Sequence, residues 1–258
     1  MENTHMDALV MGTFTSNPLI VNMYAHCATT VLTEFMGGAN VEDIAILGSG
    51  QLHGRPYDSD SKNDLTVEQK LDIALLMAKA IASLHGFKGG VIVHNDIQLC
   101  QFLYNEQGEL KMGDFNRAEV MLFDEKNKEY CRYQNGEGWG NYRSYEEYWD
   151  LRINEKIDVL SMGNNIYALL TGQWIYPDSD DQVAKETVKE GILPYIDPGY
   201  RTKSYIEGQL VEIMYRCFVS KANDRADIFE VVEFLSNTKK EHERRKANNP
   251  HYKNAARY

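Results

Sequence analysis

VIVHNDIQLCQFLY at residues 91–104, followed by LKMGDFN at 110–116, is the stretch on which the reading of the fold turns. Its short apolar pieces, VIVH, QFLY and ELKMG, alternate with turn residues. That is the pattern of small strands joined by tight loops, not of a helix. Asp96 falls in the first turn behind His94 and Asn95, and Asp114 falls in the second ahead of Phe115 and Asn116. Their spacing suits one short strand–turn–strand between two carboxylates. On these residues alone, the segment reads equally well as a buried hairpin with a structural histidine and a capping aspartate.

Downstream, residues 117–145 are irregular and rich in aromatics. The pattern then turns helical in KIDVLSMGNNIYALLTG (156–172), QVAKETVKEG (182–191), QLVEIMYRCFV (209–219) and IFEVVEFL (228–235). Upstream, Thr66 and Gln69 form a capping box that opens a long helix with Leu71, Leu75, Ala78, Ile81 and Leu84 as its buried stripe, and Gly86 stops it. Residues 49–64 (SGQLHGRPYDSDSKND) are a polar surface loop. The runs LIVNMYAHC (19–27) and TTVLTEFM (29–36) read as a strand pair ended by Gly37 and Gly38. Met6, Leu9, Val10 and Phe14 share helical spacing before Asn17 and Pro18 break it. There is no internal repeat. One helix and two strands ahead of a mostly helical body predict an α+β, two-lobed fold.

Composition narrows the function. The chain has 258 residues, 43% hydrophobic and 25% charged, with a net charge of −11. An excess of acid argues against a general nucleic-acid binder, which needs a basic stripe. The region from Lys239 onward runs the other way and is basic; a solvated terminal helix is the simpler reading, a partner or anionic membrane surface the other. Cys27, Cys100, Cys131 and Cys217 are scattered, without metal-ligand spacing, as reduced thiols of a cytoplasmic protein would be. MENTHMDALVMG carries acidic residues and no long apolar core, so it is not a signal peptide, and no run reaches the ~20 apolar residues of a membrane segment. An anchor upstream in a longer parent stays open.

His94-Asn95-Asp96 resembles the His-Arg-Asp of the protein-kinase catalytic loop, and Asp114-Phe115-Asn116 resembles its Asp-Phe-Gly. Small-molecule kinases for choline and aminoglycosides share that local pattern, so the later residues decide between them. SYEEY at 144–148 resembles the end of a protein-kinase activation segment, with Glu146 at its acidic position. Asp158, Ser161, Gly163, Leu169 and Leu170 resemble the central helix of the lower lobe, and MYRCFVSKANDR carries Arg225 where the family places a partner for that glutamate. These pieces stand in the family's order, and the chain resembles the eukaryotic-type protein kinases. Upstream, VLTEFMGG (31–38) resembles the last upper-lobe strand and hinge. Thr33 takes the gatekeeper position, and the backbones of Glu34 and Met36 face an adenine ring, with no need for the Glu34 side chain. The first helix resembles the regulatory helix, with Asp7 near its ion-pairing acid, while Met11, Met23, His94 and Phe115 fit the apolar spine between the lobes.

The resemblance implies ATP and Mg²⁺ as cofactors and a protein hydroxyl as acceptor. Asp96, with His94 beside it, is the catalytic carboxylate that orients the hydroxyl and accepts its proton; Asp114 and Gln101 hold metal. Phe115, Glu146, Asp158 and Arg225 are structural. The implied organisation is a residual N-lobe at 1–36, a C-lobe with hinge at 37–238 and a basic tail at 239–258. Neither a Gly-rich loop nor a Val-Ala-x-Lys strand lies in the sequence, so a truncated kinase with an incomplete N-lobe is expected, inert by itself towards ATP. Asn95 replaces the Arg that receives an activation-loop phosphate, Gln98 a Lys, Gln101 an Asn, Asn116 a Gly and Tyr145 a Pro. Three functions are therefore carried forward: a protein kinase, a pseudokinase acting as a binding or scaffold module, and a small-molecule phosphotransferase.

Overall fold

A computed structural model describes residues 2–46, 58–136 and 138–248. Of the polar loop expected at 49–64, residues 49–57 lie outside the described residues, as does the tail from 249 onward.

Helix α1 spans Glu2–Thr13. Its buried line is not quite the one that the spacing suggests: Ala8, Val10 and Met11 are buried, whereas Leu9 is 56% exposed. Ala8–Met11 and Met6–Val10 are neighbours at i,i+3 and i,i+4, and that stripe packs on the hairpin that follows. Strands β1 (Met23–Cys27) and β2 (Thr30–Thr33) pair antiparallel and are shorter than the apolar runs that contain them. The missing residues bond elsewhere: Met112 N–H donates to the Leu19 carbonyl at 2.8 Å and Val21 N–H to the Met112 carbonyl at 3.0 Å. The front of the run thus stitches the hairpin to the lower body instead of extending it.

Helix α2 (Val41–Ala45) follows β2, and α3 (Val67–His85) begins at the capping box. Gln69 N–H donates to Thr66 Oγ1 at 3.2 Å and Thr66 N–H to Gln69 Oε1 at 2.8 Å. All five residues of the expected stripe are buried, and Gly86 caps the helix. Four short strands follow, β3 (Val91–Val93), β4 (Phe102–Tyr104), β5 (Leu110–Met112) and β6 (Glu119–Met121). They pair as β4–β5 and β3–β6, which sets the two turns bearing Asp96 and Asp114 beside one another. A small hairpin, β7 (Phe123–Asp124) and β8 (Glu129–Tyr130), leads to α4 (Tyr145–Tyr148).

The rest is helical: α5 (Lys156–Thr171), α6 (Asp181–Lys189), α7 (Tyr200–Lys203), α8 (Tyr205–Cys217) and α9 (Ile228–Asn248). Helices α3, α5, α8 and α9 pack on each other around one core that also takes in Met11, Met112 and Phe115. Few short strands before a largely helical body make this an α+β fold. Residues 239–248 continue α9 without a break, and their charge is engaged. Lys239 meets Asp72 at 2.7 Å, while His242 and Lys246 each meet Glu68 at 3.1 Å. Arg244 and Arg245 hold Glu241 down to about 2. Among the described residues no helix is long and apolar enough to cross a membrane.

Candidate active site

The turn that follows β3 is held from below. Asp158, in the first turn of α5, is 1% exposed and accepts the His94 N–H at 2.7 Å and the Asn95 N–H at 2.9 Å. The ring nitrogen Nε2 of His85, at the end of α3, lies 3.0 Å from the same carboxylate. A carboxylate is suited to this place because the amide dipoles at a helix N-terminus favour negative charge. Asn95 has a left-handed backbone, φ 67°, which an Asn adopts at lower cost than most residues. His94 is fully buried; its Nε2 lies 3.1 Å from the Gly113 carbonyl and its ring packs on Phe115 with centroids 5.3 Å apart.

Asp96 stands one residue further on. Its Oδ1 accepts from Gln98 Nε2 at 3.0 Å and from Arg143 Nη2 at 2.8 Å, while Oδ2 has no bond among the described residues. Arg143 Nη1 also donates to the Asn95 carbonyl at 2.9 Å and to Glu147 Oε1 at 3.3 Å. Glu147 in turn closes a capping box with Ser144 at the start of α4, where Tyr145 occupies the first helical position that a proline would also fit. Burial pushes the Glu147 carboxyl up, against the pull of Arg143. Burial also opposes charge on Arg143, but Glu147 and Asp96 outweigh it and keep the guanidinium protonated. No motif in the sequence singles out Arg143; its one signal is its place directly before SYEEY.

Asp114 is exposed at the second turn and is itself left-handed, φ 60°. The left-handed positions of the two turns are therefore Asn95 and Asp114, and not Asn116, where the missing glycine had suggested one. The next residue is anchored: Phe115 N–H donates to Asp7 Oδ1 at 2.6 Å, and the Phe115 ring is fully buried. Burial raises the Asp7 carboxyl, the Phe115 amide lowers it, and the net shift is upward. Gln101 is buried, accepts the Gly113 N–H on its carbonyl at 2.9 Å, and has no side-chain hydrogen bond among the described residues.

Thr33, the expected gatekeeper, ends β2 opposite Met23. Glu34 N–H is taken by the Asn22 carbonyl at 2.9 Å, whereas Met36 makes no backbone hydrogen bond among the described residues. The Glu34 side chain is not idle. It receives Lys111 Nζ at 2.7 and 2.9 Å and the Asn22 N–H at 2.6 Å, tying the segment after β2 to β5. Burial opposes this charge, but the Lys111 and Asn22 bonds prevail and lower the carboxyl.

The last pair lies below the loop. Arg225 Nη2 meets Glu146 Oε1 at 2.9 Å, with the Arg225 side chain wholly buried. A clamped His94–Asp96 turn, an anchored Asp114-Phe115 turn and a glutamate of α4 joined to a distant arginine occur here in one chain. Residues 1–235 match the family model described as protein tyrosine and serine/threonine kinase. The chain belongs to this protein kinase family. Among its relatives is the wall-associated receptor kinase 5 of Arabidopsis thaliana, 28% identical over 71% of this chain and 25% of that protein. A putative mitogen-activated protein kinase kinase kinase 7-like protein of Drosophila melanogaster is 30% identical over 73% of this chain and 46% of its own length. A leaf rust 10 disease-resistance locus receptor-like kinase of Arabidopsis thaliana is 24% identical over 85% of this chain and 37% of its own. The kinase chain thus spans between a quarter and a half of these relatives.

Protein kinases as a family use ATP and Mg²⁺. The donor set here fits them in part. Among the described residues no three His, Cys, Asp or Glu side chains gather as a metal site. A magnesium ion shared with phosphates asks only for one or two protein carboxylates, and the Asp114 side chain is exposed. Residues 1–46 contain neither Lys nor Arg.

Proposed function

We propose that this chain carries the acceptor and metal side of an ATP- and Mg²⁺-dependent protein kinase, which transfers a phosphoryl group to a protein hydroxyl. The observation that supports this most directly is the state of Asp96: Oδ1 is fixed by two donors while Oδ2 is left without one. A carboxylate held in this way can accept a hydroxyl proton in a single orientation, which is what positioning catalysis requires. His94, buried beneath it, acts through the loop that it fixes and not on the substrate. Asp114 and Gln101 hold the metal; bound Mg²⁺-ATP supplies the phosphoryl group and neutralises its charge. The free backbone groups of Met36, beside Thr33 and Glu34, take the adenine edge.

The test is transfer of labelled phosphate from Mg²⁺-ATP to a protein acceptor by the protein that carries residues 1–258, alongside Asp96→Asn and Asp114→Asn. Each variant is expected to lose on the order of 10²–10⁴-fold in rate. No transfer by the unaltered protein, or transfer that both variants retain, overturns the reading and leaves a binding module with a kinase fold.

A further inference from the structure

The catalytic loop lacks two of the cations that its relatives' pattern places there, since Asn95 and Gln98 are neutral. A cation nonetheless sits on the loop, and it arrives from the opposite side. Arg143 is 4% exposed and joins four acceptors: Asp96 Oδ1 and the Asn95 carbonyl on the loop, and Glu147 and, at 3.4 Å, the Tyr142 hydroxyl on its own segment. Its guanidinium also lies over the Tyr142 ring, 4.8 Å from the centroid.

We propose that Arg143 is the positioning residue of Asp96, a built-in clamp that docks the segment 138–149 on the catalytic loop without any phosphate. The polarity is reversed: the segment brings the cation and the loop brings the acceptors. In the usual direction the segment contributes an added phosphate and the loop an arginine. Three features support the reversed form. The planar fork reaches two loop acceptors at once, which a lysine's point charge does not match. Glu147 holds the guanidinium from behind, and its own carboxylate is fixed by the Ser144 N–H at 2.9 Å. Asn95, which has replaced the phosphate-receiving arginine, spends its amide on the Arg117 carbonyl at 3.0 Å and on a contact with Asn135, so it is built into the same turn. Because Arg143 occupies Oδ1, a substrate hydroxyl is left Oδ2 alone. The inference rests on Asp96 being the carboxylate that orients that hydroxyl.

Hydrogen–deuterium exchange on the protein carrying residues 1–258 tests the clamp independently of catalysis. Arg143→Gln is expected to speed exchange of residues 138–149 and 94–98 about tenfold, with Arg143→Lys in between. Asp96→Asn added to Arg143→Gln should bring little further change, because the two act through one bond. Phosphatase treatment should leave exchange of the unaltered segment as it was. Unchanged exchange in Arg143→Gln, additive effects of the two substitutions, or loosening by phosphatase each overturns the proposal. Should Arg143→Gln loosen α8 and α9 equally, through general unfolding, the comparison of Arg143→Lys with Asp96→Asn decides on the same criterion of additivity. In the transfer assay Arg143→Gln lowers kcat and leaves KM for the protein acceptor unchanged. Absence of any transfer refutes the kinase reading and leaves the clamp to be judged by exchange.

Discussion

Arg225 and Glu146, 79 positions apart in the chain, meet at 2.9 Å, the arginine side chain wholly buried and the glutamate nearly so. The guanidinium makes three further bonds: Nε to the Val219 carbonyl at 2.9 Å, Nη1 to the Lys156 carbonyl at 2.8 Å and Nη2 to the Ser220 carbonyl at 3.1 Å. One side chain therefore binds α4, the start of α5 and the link between α8 and α9. Burial lowers the arginine's affinity for its proton, and Glu146 offsets only part of that.

Removing Arg225 is expected to cost about 3–5 kcal/mol, since it leaves a buried carboxylate and the Val219 and Ser220 carbonyls without their donor. Arg225→Met should show this as a lower urea midpoint with an unchanged slope. Glu146→Gln should cost less, because the guanidinium keeps its carbonyl acceptors. If the two substitutions cost the same, the ion pair itself, and not the set of carbonyls, carries the effect.

Acid should uncover the second tie. The Glu34 carboxyl is lowered in the folded chain, so it contributes stability above its ordinary value of 4.5. That contribution is lost as pH falls through the lower, folded value. Lys111→Met is expected to cost on the order of 1.5–3 kcal/mol at pH 7, the worth of a hydrogen bond to a charged group. The gap between Lys111→Met and the unaltered chain should narrow when unfolding is measured in more acid solution. A gap that stays constant from pH 7 downward would remove Glu34 from the account.

What could be read from the sequence follows how local the cause is. The capping box at Thr66 and the stripe on α3 depend on neighbours three and four residues away, and the helix formed as read. Arg225 and Glu146 stand in an ordered series, and that order alone suggested their pairing, whereas it left the partners of Asp158 open. Leu9 went astray because α1 has one side against the hairpin and the spacing alone could not say which. Strands β1 and β2 came out short because Leu19 and Val21 bond to Met112, some ninety residues later, which no local pattern encodes. Arg143, Lys111 and His85 escaped for the same reason. A cation beside a carboxylate far along the chain leaves no periodic trace, so only the fold makes those pairs visible.

Asp158→Asn tests whether the catalytic loop depends on charge or merely on shape. The aspartate accepts two loop amides and faces His85, all on acceptor oxygens. An asparagine keeps one oxygen and turns an NH₂ towards a donor, leaving a buried N–H without an acceptor. The expected cost is about 1–3 kcal/mol. Faster exchange should be confined to the amides of His94 and Asn95. Loss of stability spread evenly across the chain, with those two amides still protected, would contradict the clamp.

Gly163 sets two opposing effects against one another. An alanine in the middle of α5 gains roughly 0.8–1 kcal/mol of helix propensity over glycine. Its β-carbon, however, would lie 2.8 Å from the Phe218 ring and 2.9 Å from the Cys217 β-carbon. The ring can swing, but the Cys217 β-carbon is fixed to the backbone of α8 and moves only if the two helices part. Overpacking of that kind costs about 1–3 kcal/mol, so the packing loss should exceed the propensity gain. Gly163→Ala is therefore expected to be less stable than the unaltered chain by urea unfolding. Adding Phe218→Leu should not restore it, since the fixed contact with Cys217 remains. A Gly163→Ala chain as stable as the original would mean that α5 and α8 can separate freely, against the close approach that this glycine permits.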